Sequence, residues 1–292
     1  MNAFATASRY LRRPLEILRN RHKIRLWRRI SYALIQRLSL CEHFKVRYYG
    51  AYFHPFPSSI SLALWLYGEQ FRAQDLQFLL ELLRPGDTFI DVGANIGTHT
   101  ICIGANLGAS TKVYSFEPHP RIYSYLKKNV ALNKLHNIHH FNVALGETEG
   151  MVTLSDDMLD DRNYIVSASD GFSIPLRSLD SFGCMLTGFP IVKLDVEGYE
   201  LPVLKGASRT LEGIRFLYLE VGDRHSKRFG YSACELMEFL RHMGWHLFRF
   251  EQPKTLAEIL PEYQPPDVEN ILCARSLEDL AGRLKTYRIQ MR

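Results

Sequence analysis

The strongest chemical signal in this chain of 292 residues is a glycine-bracketed turn after an apolar run. Thr88–Val92 is predicted to form a buried strand, and Gly93 and Gly97 bracket the turn that leads from it into a helical pattern. In an open α/β sheet such a turn lies beyond the carboxyl ends of the strands, where ligands bind. The spacing G-x-x-x-G, with Asn95 between the glycines, disfavours a nicotinamide or flavin dinucleotide, and the absence of a lysine disfavours a phosphate-binding P-loop.

A carboxylate stands at the end of the next predicted strand. Glu117 follows Lys112–Phe116 directly and comes twenty residues after Gly97. A carboxylate at that point can accept hydrogen bonds from both hydroxyls of a ribose, each contributing about 1.5–3 kcal/mol. The turn and the carboxylate, in this order and at this spacing, predict a binding site for S-adenosylmethionine.

Four runs of the sequence resemble the FkbM-type methyltransferase family. The runs are Phe89–Gly97, Ser115–Pro118, Asn142–Gly146 and Ile191–Glu200. The last run, with the pattern Lys-x-Asp-Val-Glu-Gly-x-Glu, is the most distinctive, and the similarity covers roughly residues 67–221. The resemblance implies a Rossmann-like class I methyltransferase that uses S-adenosylmethionine, and a substrate among the hydroxyls of sugars, polyketides or other natural products.

The resemblance also implies which residues hold the cofactor. It implies that four residues of the first strand and turn surround the methionine part of the cofactor: Asp91, Gly93, Asn95 and Gly97. Glu117 would hold the ribose, and Val143 and Ala144, after the third strand, would flank the adenine.

Ionisable residues follow the fourth predicted strand, whose end faces the transferable methyl group in such a sheet. Lys193 and Asp195 are two residues apart and share one face of the strand, and Glu197 follows in the turn. Methyl transfer to a hydroxyl is an in-line displacement that needs alignment and a group to take the hydroxyl proton. Asp195 is the leading catalytic candidate, with Glu197 and Lys193 beside it. His225, after the fifth strand, is an alternative base.

Two alternatives concern the same acids. Asp195 and Glu220, at the ends of neighbouring predicted strands, would supply part of the octahedral shell of a magnesium ion. Two acids do not complete that shell, so we predict no metal. Acids in the first turn of a helix commonly stabilise its N-terminus, and this is the expected role of Glu200 and an open alternative for Glu197.

The elements that must position these residues alternate regularly along the chain. Near-continuous apolar strands between helical patterns are typical of a parallel sheet covered on both faces. They predict an α/β fold, a doubly wound Rossmann-like class I methyltransferase sheet of about seven strands with the last antiparallel, after an N-terminal helical/β extension. The seven runs are Thr88–Val92, Lys112–Phe116, Ile138–Val143, Ile191–Leu194, Phe216–Leu219, Trp245–Phe250 and Asn270–Ala274.

The same pattern divides the chain into four parts and two interruptions. The parts are a basic amphipathic segment (1–43), an N-terminal cap of the catalytic domain (44–86), a methyltransferase domain (87–275) and a C-terminal tail (276–292). A long polar stretch, 146–180, interrupts the alternation with an acidic cluster and two short predicted strands, Met151–Leu154 and Phe172–Leu176. A proline-rich stretch, 252–268, interrupts it again.

Charge is distributed unevenly. The chain has a net charge of +5, but residues 1–30 carry +8 and the remainder therefore −3. The body thus lacks the basic face of a nucleic-acid enzyme, and we predict no nucleic-acid partner. The basic stretch 9–38 is open to two interpretations, a helical cap or oligomer contact, and an amphipathic helix on an anionic membrane. Five widely spaced cysteines indicate reduced thiols and a cytoplasmic protein, with peripheral contact to the membrane inner face under the second interpretation.

Together these observations predict an O-methyltransferase that acts on a hydroxyl of a saccharide, glycolipid or other natural-product metabolite. An N-methyltransferase of a small metabolite stays open, because nothing in the sequence fixes the acceptor atom. So does a cofactor-binding but inactive scaffold at a membrane. A base methyltransferase is disfavoured, since Asp195-Val-Glu-Gly stands where such enzymes carry Asn/Asp-Pro-Pro-aromatic. The oligomeric state is not predicted.

Overall fold

The computed structural model describes residues 31, 34–35, 40–57, 64, 68–70, 73–156, 163–166, 171–183, 187–265 and 267–292. Of the basic stretch 9–38 it therefore covers three positions, and the membrane and oligomer interpretations of that stretch lie outside the described residues. Three members of the acidic cluster, Asp157, Asp160 and Asp161, also lie outside them. Within the described part of the chain, no helix combines the length and the apolarity that crossing a bilayer requires.

The described elements alternate between strands and helices, as the sequence predicts. The strands are β1 (Val46–Tyr48), β2 (Ala51–Phe53), β3 (Thr88–Val92), β4 (Lys112–Phe116), β5 (Ile138–Phe141), β6 (Ala144–Leu145), β7 (Gly150–Leu154), β8 (Ile165–Val166), β9 (Phe172–Arg177), β10 (Pro190–Leu194), β11 (Phe216–Val221), β12 (His246–Gln252), β13 (Thr255–Glu258), β14 (Glu269–Ala274) and β15 (Arg288–Gln290). The α-helices are α1 (Ala73–Leu82), α2 (Thr98–Leu107), α3 (Pro120–Leu132), α4 (Glu200–Lys205), α5 (Ser208–Gly213), α6 (Asp223–Ser226), α7 (Ala233–His242) and α8 (Leu277–Arg283).

One large sheet organises the molecule, in the order β15-β13-β12-β14-β11-β10-β3-β4-β5. The five strands at one end of this order, β11, β10, β3, β4 and β5, run parallel to one another. β14 runs antiparallel to β11. The α/β prediction is confirmed, but the sheet has nine strands among the described residues rather than about seven. The two further strands, β13 and β15, are four and three residues long. They carry no apolar pattern that would predict a strand, and they are strands because they pair at the edge of the sheet.

Both faces of the sheet are covered. Phe89 and Ile191 belong to one buried cluster with side chains of α1 and α2. Their neighbours Ile90 and Val192 belong to a second cluster with side chains of α4 and α7. Since successive strand residues point to opposite faces, this division explains why the central strands are apolar at every position.

Residues outside the main strands add to the same body. β1 and β2 form a hairpin that is joined to α3, where the Asn133 side chain accepts a hydrogen bond from the Tyr52 amide and donates one to the Tyr52 carbonyl, at 2.8 and 2.7 Å. Residues 276–292, taken as a tail in the sequence, form α8 and β15, and β15 pairs with β13. A tail without a long apolar run thus gains its structure from the sheet edge.

The polar stretch 146–180 contributes three strands to a second sheet, whose order is β6-β9-β7-β8 and whose fourth strand, β6, directly precedes the stretch. The two short strands predicted there are present as β7 and β9, and they pair antiparallel. Buried side chains of this sheet, including Leu154 and Ile174, form a small core of their own.

Candidate active site

The turn after β3 is tightly constrained by its neighbours. Gly93, Asn95 and Gly97 all adopt positive φ, at 81°, 53° and 91°, a region in which glycine and asparagine are tolerated best. A Cβ atom on Gly93 would lie 1.9 Å from the Asp195 carbonyl oxygen, and one on Gly97 would lie 2.6 Å from Leu126 Cδ1. The glycine at 93 therefore permits a close approach of the chain to the end of β10, which the sequence alone did not indicate.

Glu117 ties this turn to the end of β4. Its Oε2 accepts a hydrogen bond from the Asn95 amide at 2.9 Å, and its Oε1 accepts one from the His119 amide at 2.8 Å. The side chain is nearly buried. A carboxylate can accept about four hydrogen bonds, and Glu117 uses two of these positions to hold both loops.

A cleft opens beside these residues at the carboxyl ends of the strands. Five of the seven cofactor-binding candidates line it: Gly93, Asn95, Glu117, Val143 and Ala144. The other two, Asp91 and Gly97, are not part of the wall. Tyr164 and Ile165, from the second sheet, line the cleft as well, so the polar insertion forms part of its boundary.

The lining fits S-adenosylmethionine on three counts. Glu117 offers acceptors to a ribose, and Phe116, Val143 and Leu145 offer an apolar surface to an adenine. Asp195 and Glu197 bring negative charge to the end of the cleft at β10, and carboxylates at that point would stabilise a sulfonium.

Asp91 lies behind the cleft and anchors Lys193. Its Oδ2 accepts hydrogen bonds from the amide and the hydroxyl of Thr100, at 3.1 and 2.6 Å. Lys193 Nζ lies 3.5 Å from Asp91 Oδ1 and 3.3 Å from Asp195 Oδ2. Burial alone would lower the pKa of Lys193, but the carboxylates of Asp195 and Asp91 outweigh burial and raise that pKa. Lys193 is therefore a buried ammonium that is paired with both Asp91 and Asp195.

His225 lies between two carboxylates. Its Nδ1 is 3.0 Å from Glu220 Oε1 and 3.5 Å from Glu197 Oε2. The hydrogen bond to Glu220 raises the pKa of His225, burial opposes that shift, and the charge of Glu197 adds to it. His225 lines neither the cleft nor the cavity described next. It could therefore affect a substrate only through Glu197 and Glu220, which it contacts.

A second, polar cavity adjoins the cleft. His99, Lys193, Asp195 and Glu197 line both spaces, which makes them the boundary between the two. The remaining wall of the polar cavity comes from Asp75, Leu194, Tyr218, Glu220 and Asn270. Sequence analysis missed Asp75, His99, Tyr218 and Asn270. Only His99, which follows the glycine turn by two residues at the start of α2, gave a signal that could have been used.

The missed residues form a connected set. Tyr218 donates its hydroxyl hydrogen bond to Asp75, and Asn270 Nδ2 donates to the same carboxylate at 3.3 Å. Burial, and after it the charge of Asp75, raises the pKa of Tyr218 well above its usual value. Burial, and after it the Lys193 ammonium, lowers the pKa of His99 to about 4. His99 is therefore neutral near pH 7, and its buried Nε2 has no hydrogen-bond partner among the residues that the structure describes.

Glu200 is separate from both spaces. Its Oε1 accepts hydrogen bonds from the amides of Val196 and Gly198, at 3.1 and 3.2 Å, and Tyr231 donates to its Oε2 at 3.2 Å. Burial raises the pKa of Glu200 to about 7. The residue stabilises the turn before α4, in keeping with the helix-start role expected from the sequence. In the part of the chain that the structure describes, no three His, Cys, Asp or Glu side chains converge in a way that could hold a metal ion.

Known proteins resemble this chain over the same region. A family model described as Methyltransferase FkbM domain matches residues 91–247. The hexuronic acid methyltransferase AglP of Haloferax volcanii is 30% identical over 152 residues, which are 50% of this chain and 60% of that protein. The 2-O-methyltransferase NoeI of Sinorhizobium fredii is 25% identical over 170 residues, 51% of this chain and 68% of that protein.

The chain thus spans 60% of the length of AglP. Among solved structures, M. jannaschii TYW2 in complex with AdoMet is 18% identical, with 79% of this chain and 84% of that chain covered and a TM-score of 0.40, a likeness too distant to add to the assignment. The family model, in contrast, covers more than half of the chain and includes the glycine turn, Glu117 and the end of β10. The chain therefore belongs to the FkbM family of S-adenosylmethionine-dependent methyltransferases.

Proposed function

We propose that this chain transfers the methyl group of S-adenosylmethionine to a hydroxyl of a saccharide, glycolipid or related metabolite. The observation that carries the proposal is the position of Asp195, which borders both the cleft and the polar cavity. A hydroxyl in the polar cavity would meet the methyl donor at this carboxylate. The names of the two relatives, a hexuronic acid methyltransferase and a 2-O-methyltransferase, support a sugar hydroxyl as the acceptor.

Each residue at the boundary has a separate role in the reaction. S-adenosylmethionine supplies an electrophilic methyl group on a positively charged sulfur. Asp195 takes the proton of the acceptor hydroxyl, which is the contribution expected of a positioned carboxylate. Lys193, fixed by Asp91, keeps the Asp195 carboxylate in one orientation. Glu197 adds negative charge at the boundary, and His225 steadies Glu197 through its imidazole.

The alternative base, His225, is less favoured by its surroundings. Its raised pKa means that the ring carries a proton over more of the neutral range, and a protonated ring cannot accept the hydroxyl proton. It also stands behind Glu197 and Glu220 rather than on the cavity wall. We therefore assign His225 a positioning role and keep Asp195 as the base.

The cofactor contacts form a further part of the proposal. Glu117 would bind the ribose, Val143 and Ala144 the adenine, and Gly93 and Asn95 the methionine part, since all five line the cleft. Asp91 and Gly97 would act from behind the wall, Asp91 through Lys193 and Gly97 by allowing the turn to pack on α3. The methyltransferase domain would begin at residue 87 behind the cap 44–86, with 276–292 attached through β15.

Turnover with labelled cofactor tests the proposal. The full chain is incubated with S-adenosylmethionine carrying a ¹³C-methyl group and with oligosaccharide fractions of a cell extract. We expect S-adenosylhomocysteine to form together with a labelled methyl carbon whose NMR shift is that of a methyl ether. A shift typical of an N-methyl group would support an N-methyltransferase. Cofactor binding without turnover in any fraction would support an inactive scaffold.

A further inference from the structure

The turn between β10 and α4 has a backbone conformation that is unfavourable for its sequence. Glu197 has a φ of 55° and Gly198 a φ of 100°, so two successive residues lie in the left-handed region, which a glutamate rarely adopts. A Cβ atom on Gly198 would lie 2.5 Å from the His225 carbonyl oxygen, so the turn also packs closely on the backbone of α6. Since Glu197 borders both the cleft and the polar cavity, the conformation of this turn determines where its carboxylate lies.

Two buried side chains hold the turn in this conformation. Glu200 Oε1 accepts hydrogen bonds from the amides of Val196 and Gly198, at 3.1 and 3.2 Å. These two residues stand on either side of Glu197. The Tyr231 hydroxyl donates to the Gly198 carbonyl at 2.7 Å and shares its hydrogen with Glu200 Oε2 at 3.2 Å. Glu200 and Tyr231 are only 3% and 7% exposed, so water competes little for these hydrogen bonds.

The helix that carries His225 is attached at the same point. The Ala233 amide, in the first turn of α7, donates to Asp223 Oδ1 at 2.8 Å, and Asp223 begins α6. Tyr231 lies two residues before Ala233. The start of α7 therefore anchors both the turn that carries Glu197 and the helix that carries His225. The two side chains face each other, with 3.5 Å between Glu197 Oε2 and His225 Nδ1.

We propose that Tyr231 and Glu200 are positioning residues that hold the Glu197 carboxylate at the boundary of the two spaces and against His225. The inference rests on the proposed function for what Glu197 does, and it adds the groups that place this carboxylate. Neither Tyr231 nor Glu200 belongs to the described wall of either space, so both would act on the reaction only through the turn. Their loss should leave cofactor binding through Glu117 intact.

The pKa of His225 is sensitive to the position of Glu197. The hydrogen bond to Glu220 raises this pKa and the charge of Glu197 adds to it, whereas burial and the charge of Arg228 lower it. A Glu197 carboxylate that moves away should therefore lower the pKa of His225, even though Glu220 stays in place. Histidine ¹⁵N NMR of the full chain, titrated without an acceptor and assigned through His225→Gln, measures the change.

Tyr231→Phe tests the proposal by removing a single hydroxyl. We expect the pKa of His225 to fall by about 0.5 or more, and kcat in the labelled-cofactor reaction to fall by about 10-fold or more. Affinity for S-adenosylhomocysteine, measured by calorimetry, should stay within about twofold. The matched control is Ser232→Ala, which removes the side chain that accepts from the Glu235 amide at 3.2 Å. It weakens the same helix start without touching the turn, and it should leave both the pKa and kcat unchanged.

A double variant separates positioning from a general loss of stability. Glu197→Gln should itself lower the pKa of His225. Adding Tyr231→Phe to it should change that pKa by less than about 0.3, because the effect of Tyr231 passes through the Glu197 charge. An unchanged pKa in Tyr231→Phe, or a full second fall in the double variant, would overturn the inference. If Tyr231→Phe does not fold, an unchanged pKa in Glu197→Gln alone would overturn it.

Variants of Glu200 provide a second, independent test. Glu200→Gln keeps an acceptor oxygen for both amides and should leave the pKa of His225 close to that of the unaltered chain. Glu200→Ala removes the acceptor and should lower that pKa as Tyr231→Phe does. Equal pKa values in the two variants would count against the proposal. Because the titration needs no acceptor, the expected pKa changes in a chain without methyl transfer would support the positioning of Glu197 and overturn the proposed function alone.

Discussion

The cofactor cleft and the polar cavity share a wall but are assembled from different stretches of chain. The cleft is lined largely by the ends of β3, β4 and β10 and by the turns that follow β3, β4, β5 and β10, and the polar insertion lines another part of it. The polar cavity draws on α1, α2, β10, β11 and β14, from Asp75 to Asn270. A cofactor common to many enzymes can be held by short local motifs, whereas an acceptor site is formed by side chains brought together only by the fold.

The largest effect is expected where the two spaces meet. Asp195→Asn preserves the shape of the side chain but removes the group that accepts the proton, so kcat should fall by about 10²- to 10⁴-fold. The affinity for S-adenosylhomocysteine, measured by calorimetry, should change by less than about threefold, because the contacts to ribose and adenine remain. A variant with nearly normal kcat would exclude Asp195 as the base.

Loss of Glu117 should affect the cofactor side alone. Glu117→Ala removes the proposed ribose contact together with the acceptor of the Asn95 and His119 amides. We expect cofactor binding to weaken by about 2–3 kcal/mol, or roughly 30- to 150-fold. Calorimetry with S-adenosylhomocysteine measures the change, and thermal unfolding of the same sample separates a lost contact from a disordered loop. An unchanged dissociation constant would remove Glu117 from the site.

The contrast between the two spaces also explains what could be predicted from the sequence. The strands β3 and β4 match their apolar runs residue for residue, and Glu117 follows from its position after one of them. Asp75 and Asn270 carry no such signal, since each is an ordinary polar residue until the fold brings it beside Tyr218. β15 was missed for the same reason, because a three-residue edge strand is defined by its neighbour.

A substitution on the far wall should affect the acceptor side alone. Asn270→Ala removes an amide that lines the polar cavity, and we expect the KM for the acceptor to rise by about 5- to 10-fold, the scale of one neutral hydrogen bond. Cofactor affinity should stay within about twofold, which makes this variant the counterpart of Glu117→Ala. An equal loss of cofactor affinity would show that the two spaces do not act separately.

The smallest effects concern two histidines, His225 on the acceptor side and His119 on the cofactor side. Their pKa values are shifted in opposite directions. The hydrogen bond to Glu220 raises the pKa of His225, so its stabilising contribution is complete below the ordinary value of 6.5 and is lost as pH rises through the folded-state pKa. Burial, and after it the charge of Arg121, lowers the pKa of His119, so protonation favours unfolding and stability falls as the solution becomes more acidic.

Urea unfolding at pH 5.5, 7 and 9 can separate these two contributions. The free energy of unfolding of the unaltered chain minus that of His225→Gln should increase as pH falls, because Glu220 and Glu197 stabilise the protonated ring. The same difference taken against His119→Gln should decrease as pH falls, because the buried ring at the start of α3 must become charged. Each pKa unit of difference corresponds to about 1.4 kcal/mol, so the opposite slopes are measurable. If the two stability differences changed with pH in the same direction, the opposite pKa shifts of His225 and His119 would be contradicted.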